Sequence, residues 1–226
     1  MTAPAPSWHA DPYTDALRAG HGPLFLRRTD GWLLPLEVER WCAAPDAADR
    51  TVLRRCTGAV LDIGCGPGRM VAALARRGAP ALGIDASPEA VARTRALGVD
   101  ALCRSVFDPL PGEGRWDCAL LVDGNIGIGG DPAALLDRIA GLLAPGGRLF
   151  AETAPADVEE RVEVRLDDGR GGCGPVFPWA RIGASALSAR ARAGGWAEEV
   201  RWTVLGRTFL ALRRRTVPGA PVPGEP

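Results

Sequence analysis

The sequence predicts an α/β fold: a doubly wound, mostly parallel sheet of seven strands, ending in an antiparallel hairpin and preceded by an N-terminal helical cap. Three observations lead there. From Gly58 onward, short apolar runs alternate with amphipathic stretches of helical period, as in strands joined by crossover helices. A turn rich in glycine (Gly64, Gly66, Gly68) separates the first run from the first such helix. The last two runs, 199–204 and 208–213, flank Gly206-Arg207 closely enough to form a hairpin.

Residues 1–57 read as a cap on one edge of the main domain. They begin Pro-rich, carry Trp8, His9, Asp11 and Tyr13, and then show apolar clusters at 24–26 and 33–36. Helices are expected around 37–42, broken near Pro45, and from 46 to 55. The main domain, 58–214, opens with a buried strand at 59–61 and a helix at 69–77 that Gly78 stops. The second strand is 81–84. Ser87-Pro88-Glu89 then starts a helix, because Ser caps well and Pro suits the first helical position. That helix ends at Gly98. Strands follow at 99–104 and 118–122. Asp131-Pro132 repeats the cap-plus-Pro start, and Leu135, Leu136, Ile139, Leu142 and Leu143 line one helical face. Gly146-Gly147 ends this helix ahead of a fifth strand at 148–151. Residues 162–166 read as an extra strand or hairpin arm, 184–193 as a helix, and the hairpin closes the domain. Residues 215–226, dominated by Pro, Gly and Val, read as a disordered tail.

Composition narrows the function. Hydrophobic residues make up 46% of the 226, a level that supports a packed core. No run of about 18 apolar residues suggests a membrane span. The start lacks the charged and apolar regions of a signal peptide, so the cytoplasm is the expected location. Charge is balanced, with 27 basic and 27 acidic residues, and no basic stripe is interleaved with aromatics; neither nucleic acid nor a membrane is the expected partner. Every basic residue is Arg, which fits a GC-rich coding bias and makes the Arg count weak evidence for phosphate recognition. The six cysteines form no C-x-x-C pair and there are two histidines, so no metal site or disulfide framework is expected.

The sharpest motif is Val60-Leu61-Asp62-Ile63-Gly64-Cys65-Gly66-Pro67-Gly68-Arg69, between a strand and a helix. Its glycines allow a tight turn and close backbone approach to a ligand at the carboxyl end of the sheet. Asp85 ends the next strand, where a carboxylate can accept from a ribose diol. That geometry serves nicotinamide enzymes too, so the acid alone does not choose the cofactor. The spacing G-x-G-x-G, with Asp62 two residues ahead, is more selective.

The stretch 62–68 resembles the first motif of class I S-adenosylmethionine-dependent methyltransferases. Gly83-Ile84-Asp85-Ala86-Ser87 is similar to their second-strand motif, and Leu143-Ala144-Pro145-Gly146-Gly147-Arg148-Leu149 to their fifth-strand signature. The resemblance covers about 58–214 and implies S-adenosylmethionine as cofactor. Asp62, Gly64 and Gly66 would hold its methionine end, with Cys65 in the same loop. Asp85 would hold the ribose, with Ala86 under the adenine and Ser105 and Val106 along its edge. Many relatives carry an acid where Ser105 stands, and Asp108 comes three positions later, so the adenine amino contact departs from the pattern.

After the fourth strand, where this family sets residues between cofactor and acceptor, lies Asp123-Gly124-Asn125-Ile126-Gly127-Ile128-Gly129-Gly130-Asp131. Asp123 and Asn125 are the polar groups expected to face the transferred methyl, and the four glycines permit close approach to a ligand or a mobile loop. Asp131 reads as the next helix cap. The loop lacks an Asn-Pro-Pro-Tyr tetrapeptide, which lowers the odds of a base or protein-amide acceptor. Base candidates for a hydroxyl acceptor are Asp123 and His9, then His21 and Glu152. The segment around His9 and Tyr13 is expected to close over the cofactor. Trp179 and Arg181 could wall an acceptor pocket, Arg181 meeting a carboxylate or phosphate. These readings together predict a small-molecule methyltransferase of bacterial type, with a secondary metabolite as candidate acceptor. A non-catalytic S-adenosylmethionine-binding protein and an NAD-dependent oxidoreductase are the alternatives.

Overall fold

The computed structural model describes residues 12–215. His9 and Trp8, and the tail from 216 onward, lie outside them. The described chain begins with α1 (Pro12–Ala19), a hairpin of β1 (Phe25–Arg28) and β2 (Leu33–Pro35), α2 (Val38–Cys42) and α3 (Ala47–Leu53). The main sheet then alternates β3 (Val60–Ile63), α4 (Arg69–Arg76), β4 (Ala81–Asp85), α5 (Pro88–Ala96), β5 (Ala101–Cys103), β6 (Trp116–Leu121), a 3-10 turn (Asn125–Gly127), α6 (Pro132–Leu142) and β7 (Leu143–Thr153). After it come β8 (Glu159–Asp167), β9 (Phe177–Ile182), α7 (Ala184–Ala193), β10 (Trp196–Val204) and β11 (Arg207–Arg214).

Seven strands make one sheet in the order β10-β11-β7-β6-β3-β4-β5. Pairing is parallel from β5 to β7, and β11 runs antiparallel to both β7 and β10. The doubly wound sheet and its closing hairpin are therefore as the sequence reads. All four residues of β3 are buried, as expected of a central strand covered on both faces. Two apolar clusters fill the two faces: one around Leu61, Ile63, Leu121 and Leu136, the other around Val52, Leu74, Leu120 and Phe150.

The helix starts follow local chemistry. Ser87 accepts from Ala90 N and is followed by Pro88; Asp131 accepts from Ala133 and Ala134 N and is followed by Pro132. Asp46 and Asp49 cap α3 reciprocally, each side chain taking the other's backbone N–H.

The two expected helices are present as α2 and α3, and ahead of them the segment adds α1 and a hairpin that the sequence reading left without assigned structure. The hairpin joins β8 and β9 in a second, antiparallel sheet ordered β2-β1-β8-β9. The strand β9 was missed as well, because Pro178 argues against a strand. Here β9 is an edge strand, where a missing N–H is tolerated. A third apolar cluster, Ala16, Leu24, Leu26, Val38, Val164 and Leu166, binds this sheet to α1 and α2.

Candidate active site

The glycine turn leaves β3 at the carboxyl end of the sheet and enters α4. Gly64, Gly66 and Gly68 have φ of 69°, 55° and 90°, left-handed values that suit glycine. Two of the three are also sterically reserved. A Cβ on Gly64 would lie 2.6 Å from Asn125 Nδ2, and one on Gly68 would lie 2.6 Å from Thr94 Oγ1. At Gly66 the nearest atom is Tyr13 Oη, 3.6 Å from such a Cβ, so α1 stands over the turn with contact distance to spare.

Below the turn, Asp62 is buried, and neither carboxyl oxygen has a hydrogen-bond partner. Val71 N–H faces the carboxyl without closing a hydrogen bond. Burial pushes this carboxyl up to about 7; Asp123 and Asp85 add to the effect and Arg69 opposes it. An orphaned buried carboxyl next to a glycine cradle suits a ligand that brings a cation or a donor. Asp85, at the end of β4, accepts from Gly66 N at 2.9 Å and Ser87 N at 2.8 Å. Burial raises its pKa, opposed by those backbone donors. Each oxygen keeps a second lone pair for a hydroxyl.

Other expected residues fall around this frame in different ways. The Cys65 thiol points inward, 3.8 Å from Thr94 Oγ1, so only its backbone faces the turn. Ala86 is exposed beside Asp85. Val106 is buried in the core, and its carbonyl accepts from Arg138 Nε. Ser105 Oγ accepts from Phe107 N, and Asp108 folds back to accept from Ser105 N at 3.0 Å. The late acid is thus tied into the local turn.

Asp123 has a left-handed φ of 58°. Its carboxylate takes Arg69 Nη1 at 2.6 Å and Arg207 Nη2 at 3.3 Å, with Arg40 Nη1 3.0 Å away, and its backbone N donates to Glu152 at 2.7 Å. Arg69 and Arg207 also bind the fully buried Asp49, and Arg207 binds Glu152 and Asp46. Asp49 is held well below the usual carboxylate range: burial pushes it up, and the two guanidiniums outweigh burial. This network knits α2, α3, α4, β7 and β11 around the residue that follows β6. Both Asp123 oxygens are spent on guanidinium N–H groups, an arrangement that positions the turn rather than leaving a free proton acceptor.

Asn125 Nδ2 donates to Ile63 O at 3.0 Å and Gly64 O at 2.8 Å, so this side chain braces the cofactor-type turn. Trp179 stands edge-on to Phe177, ring centroids 6.1 Å apart, and covers Gly127. Arg181 lies 4.6 Å over the Trp32 ring and pairs with Glu160 at 3.1 Å. His21 is exposed, with Nδ1 2.8 Å from Gly22 O. The structure thus brings Tyr13, Asp62, the glycines, Asp85, Asp123 and Asn125 together, and sets Trp179 and Arg181 on the second sheet.

The sequence reading missed Arg40, Arg69, Arg207 and Asp49. Arg69 did leave a signal: a cation in the first turn of a helix opposes the helix dipole and asks for anionic partners.

Residues 39–197 match the family described as Methyltransferase domain. Over 100 residues the chain is 39% identical to a ubiquinone biosynthesis O-methyltransferase of Xylella fastidiosa, an overlap of 42% of this chain and 41% of that protein. The chain thus spans about two fifths of the length of the curated relatives it matches. A methyltransferase from Bacteroides fragilis, solved with S-adenosyl-L-homocysteine, superposes with a TM-score of 0.79 at 23% identity, covering 95% of this chain and 99% of that one. The 1,6-didemethyltoxoflavin-N1-methyltransferase of Burkholderia thailandensis gives a TM-score of 0.58 at 20% identity, covering 75% and 78%. At these identities the two structures bear on the fold.

Proposed function

The chain belongs to the family of methyltransferase domains, and on that premise we propose that it transfers the methyl group of S-adenosylmethionine to a small-molecule acceptor. The observation that carries the cofactor is Asp62, a buried carboxyl without a hydrogen-bond partner under a cradle of left-handed glycines. Asp85 lies 19 residues along the chain from Gly66 yet accepts from Gly66 N, so the two acids bracket one turn. Asp62, Gly64 and Gly66 would hold the methionine end, and Asp85 the ribose hydroxyls.

When bound, the cofactor supplies a methyl already activated by the sulfonium charge. The chain's own work is to hold the acceptor in line and exclude water, which is worth up to about 7–11 kcal/mol. Asp123 positions rather than deprotonates, since its oxygens are engaged by Arg69 and Arg207. Such a site suits an acceptor atom with a lone pair available at neutral pH. Tyr13 would close the cofactor side, and Trp179 and Arg181 would contribute the acceptor wall. We assign the acceptor to small molecules of a bacterial cytoplasm, a secondary metabolite among them.

The engagement of Asp123 also favours a second reading, cofactor binding without turnover. Calorimetric titration with S-adenosylhomocysteine, beside NAD and with Asp85→Ala, tests the cofactor. Binding that the variant loses supports the proposal; preference for NAD or no binding overturns it. Release of S-adenosylhomocysteine from S-adenosylmethionine across a panel of amine, thiol and phenol acceptors separates turnover from binding alone.

A further inference from the structure

Two thiols, Cys56 and Cys118, meet toward the amino end of the parallel strands, away from the glycine turn, and methyl transfer makes no use of them. Cys118 lies in β6 beside Val60 of β3, and Cys56 follows the end of α3. Their side chains hydrogen-bond to each other, thiol to sulfur. Thr57, next to Cys56, holds the pair together: its N–H donates to Cys118 Sγ at 3.5 Å, and its carbonyl accepts from that sulfur at 3.3 Å. Cys56 Sγ also reaches Val52 O, 3.4 Å away in α3. Cys118 is fully buried, and Cys56 is half-buried beside the exposed bend of Thr57 and Gly58. By contrast, Cys65, Cys103 and Cys173 contact Thr94 Oγ1, Ala86 O and Arg165. The surroundings of the pair favour a thiolate. The hydrogen bond from Cys56 brings Cys118 down to about 7 against the effect of burial, helped by the Thr57 donors and Arg148. The same bond, with burial, raises Cys56, while Arg77 draws it down. The proton of the shared bond can sit on either sulfur, so the pair can present its thiolate on Cys56, the sulfur nearer solvent.

We propose that Cys56 and Cys118 are a modification site: a hydroperoxide oxidises them to a reversible disulfide that staples the end of α3 to β6. The Cys56 thiolate attacks one peroxide oxygen and the O–O bond breaks, leaving a sulfenic acid on Cys56. The departing hydroxide takes the proton held by Cys118 and becomes water. The Cys118 thiolate then attacks the Cys56 sulfur; the S–S bond forms, the S–O bond breaks, and the second hydroxide leaves as water after protonation by solvent. Two electrons pass from the sulfurs to the peroxide, and a dithiol returns them. In a reducing compartment a transient disulfide of this kind reports oxidation rather than building the fold. Its mechanical effect falls on α3. Asp49 of that helix binds Arg69 and Arg207, which hold Asp123. Closing the loop from residue 56 to residue 118 also removes conformations from the unfolded chain. Oxidation therefore makes the helix that anchors the ion network harder to open. The proposal stands apart from the identity of the cofactor and the acceptor.

The test treats the folded full chain with hydrogen peroxide, then denatures it, alkylates the remaining thiols and maps the peptides by mass spectrometry. The six thiols of the reduced chain should fall to four, with one cross-linked peptide pair holding Cys56 and Cys118, and dithiothreitol should restore all six. The oxidised chain should unfold at a thermal midpoint raised by roughly 5–15 °C, and hydrogen exchange in α3 should slow. Cys56→Ser and Cys118→Ala should each lose the cross-linked pair and the rise in midpoint on oxidation. Retention of all six thiols, a cross-link between another pair, oxidation of Cys56 to a sulfinic acid without a cross-link, or a midpoint that stays or falls in the cross-linked chain overturns the proposal. If Cys118→Ala does not fold, Cys56→Ser and the peptide map of the unaltered chain still decide.

Discussion

Removing the charge at Asp62 by Asp62→Asn should change both stability and cofactor affinity in a pH-dependent way. The carboxyl is pushed up to about 7 by burial, whereas an unfolded aspartate titrates near about 3.9. Between these values the folded state keeps a proton that the unfolded state has released. Stability from this group is therefore fully present below about pH 4 and is lost as pH rises through 7, a slope totalling about 4 kcal/mol. Asp62→Asn removes the slope: without ligand, the variant matches the unaltered chain near pH 4 and exceeds it at pH 8. Binding runs the other way. A ligand ammonium needs the ionised carboxylate, populated to roughly a tenth at pH 6 and nine tenths at pH 8. Affinity for S-adenosylhomocysteine should thus rise about tenfold over that interval, with nearly one proton released per ligand at pH 6. Calorimetry at both pH values, in two buffers of different ionisation enthalpy, measures affinity and proton release together. A pH-independent affinity, or a slope that persists in Asp62→Asn, would refute the assignment of the ammonium to this carboxyl.

Other outcomes follow from packing and charge. Gly127→Ala sets a Cβ 2.6 Å from the Trp179 ring and against Ala180 O, so thermal unfolding should register a loss of about 1–3 kcal/mol or more. Gly124→Ala meets nothing within 4 Å and adds mainly strain at φ 82°, on the order of 1 kcal/mol; a larger loss than at Gly127 would contradict the packing argument. Arg207→Met leaves Asp49, Glu152 and Asp123 short of a buried partner and should cost about 3–5 kcal/mol in denaturant unfolding. By contrast, Arg190→Met opens an ion pair whose members are 50% and 44% exposed, and should cost less than about 1 kcal/mol. Similar losses for these two arginines would show that the buried network is not load-carrying. Asp131→Ala should cost about 1 kcal/mol by uncapping α6, read as a lowered thermal midpoint.

Much of the main sheet was legible because its signals are local. Ser87-Pro88 and Asp131-Pro132 announce helix starts from two adjacent residues, and β3 announces burial from four apolar or motif positions in a row. The cap was less legible for the opposite reason. Strands β1 and β2 have four and three residues, too few for a period to show, and they become strands only through pairing with β8 more than a hundred residues away. The glycines 124–130 read as ligand approach or mobility, yet Gly127 meets Trp179, Gly129 meets Phe107 and Gly130 meets Pro178. Their freedom from side chains serves packing between this loop and its neighbours, which no local pattern reveals. Gly124 alone of the four has nothing within 4 Å and remains the position open to a ligand.

The same distinction bears on how the site is held. Asp123 adopts a left-handed backbone conformation that costs a non-glycine residue on the order of 1–3 kcal/mol, and such strain persists only where the surroundings over-determine it. Here they do. Glu152 fixes its backbone N–H, Arg69 and Arg207 fix its carboxylate, and Asp49 locks both arginines from α3. The turn so fixed delivers Asn125 to the carbonyls of Ile63 and Gly64, which shapes the glycine cradle over Asp62. The acceptor-side loop and the cofactor-side loop are therefore one mechanical unit, joined by two amide hydrogen bonds and anchored in an ion network. In a reaction governed by alignment more than by proton transfer, rigidity between donor and acceptor loops is the property the chain most needs to supply. That requirement accounts for charged residues gathered behind Asp123 at a place where a sequence reading looked for a base.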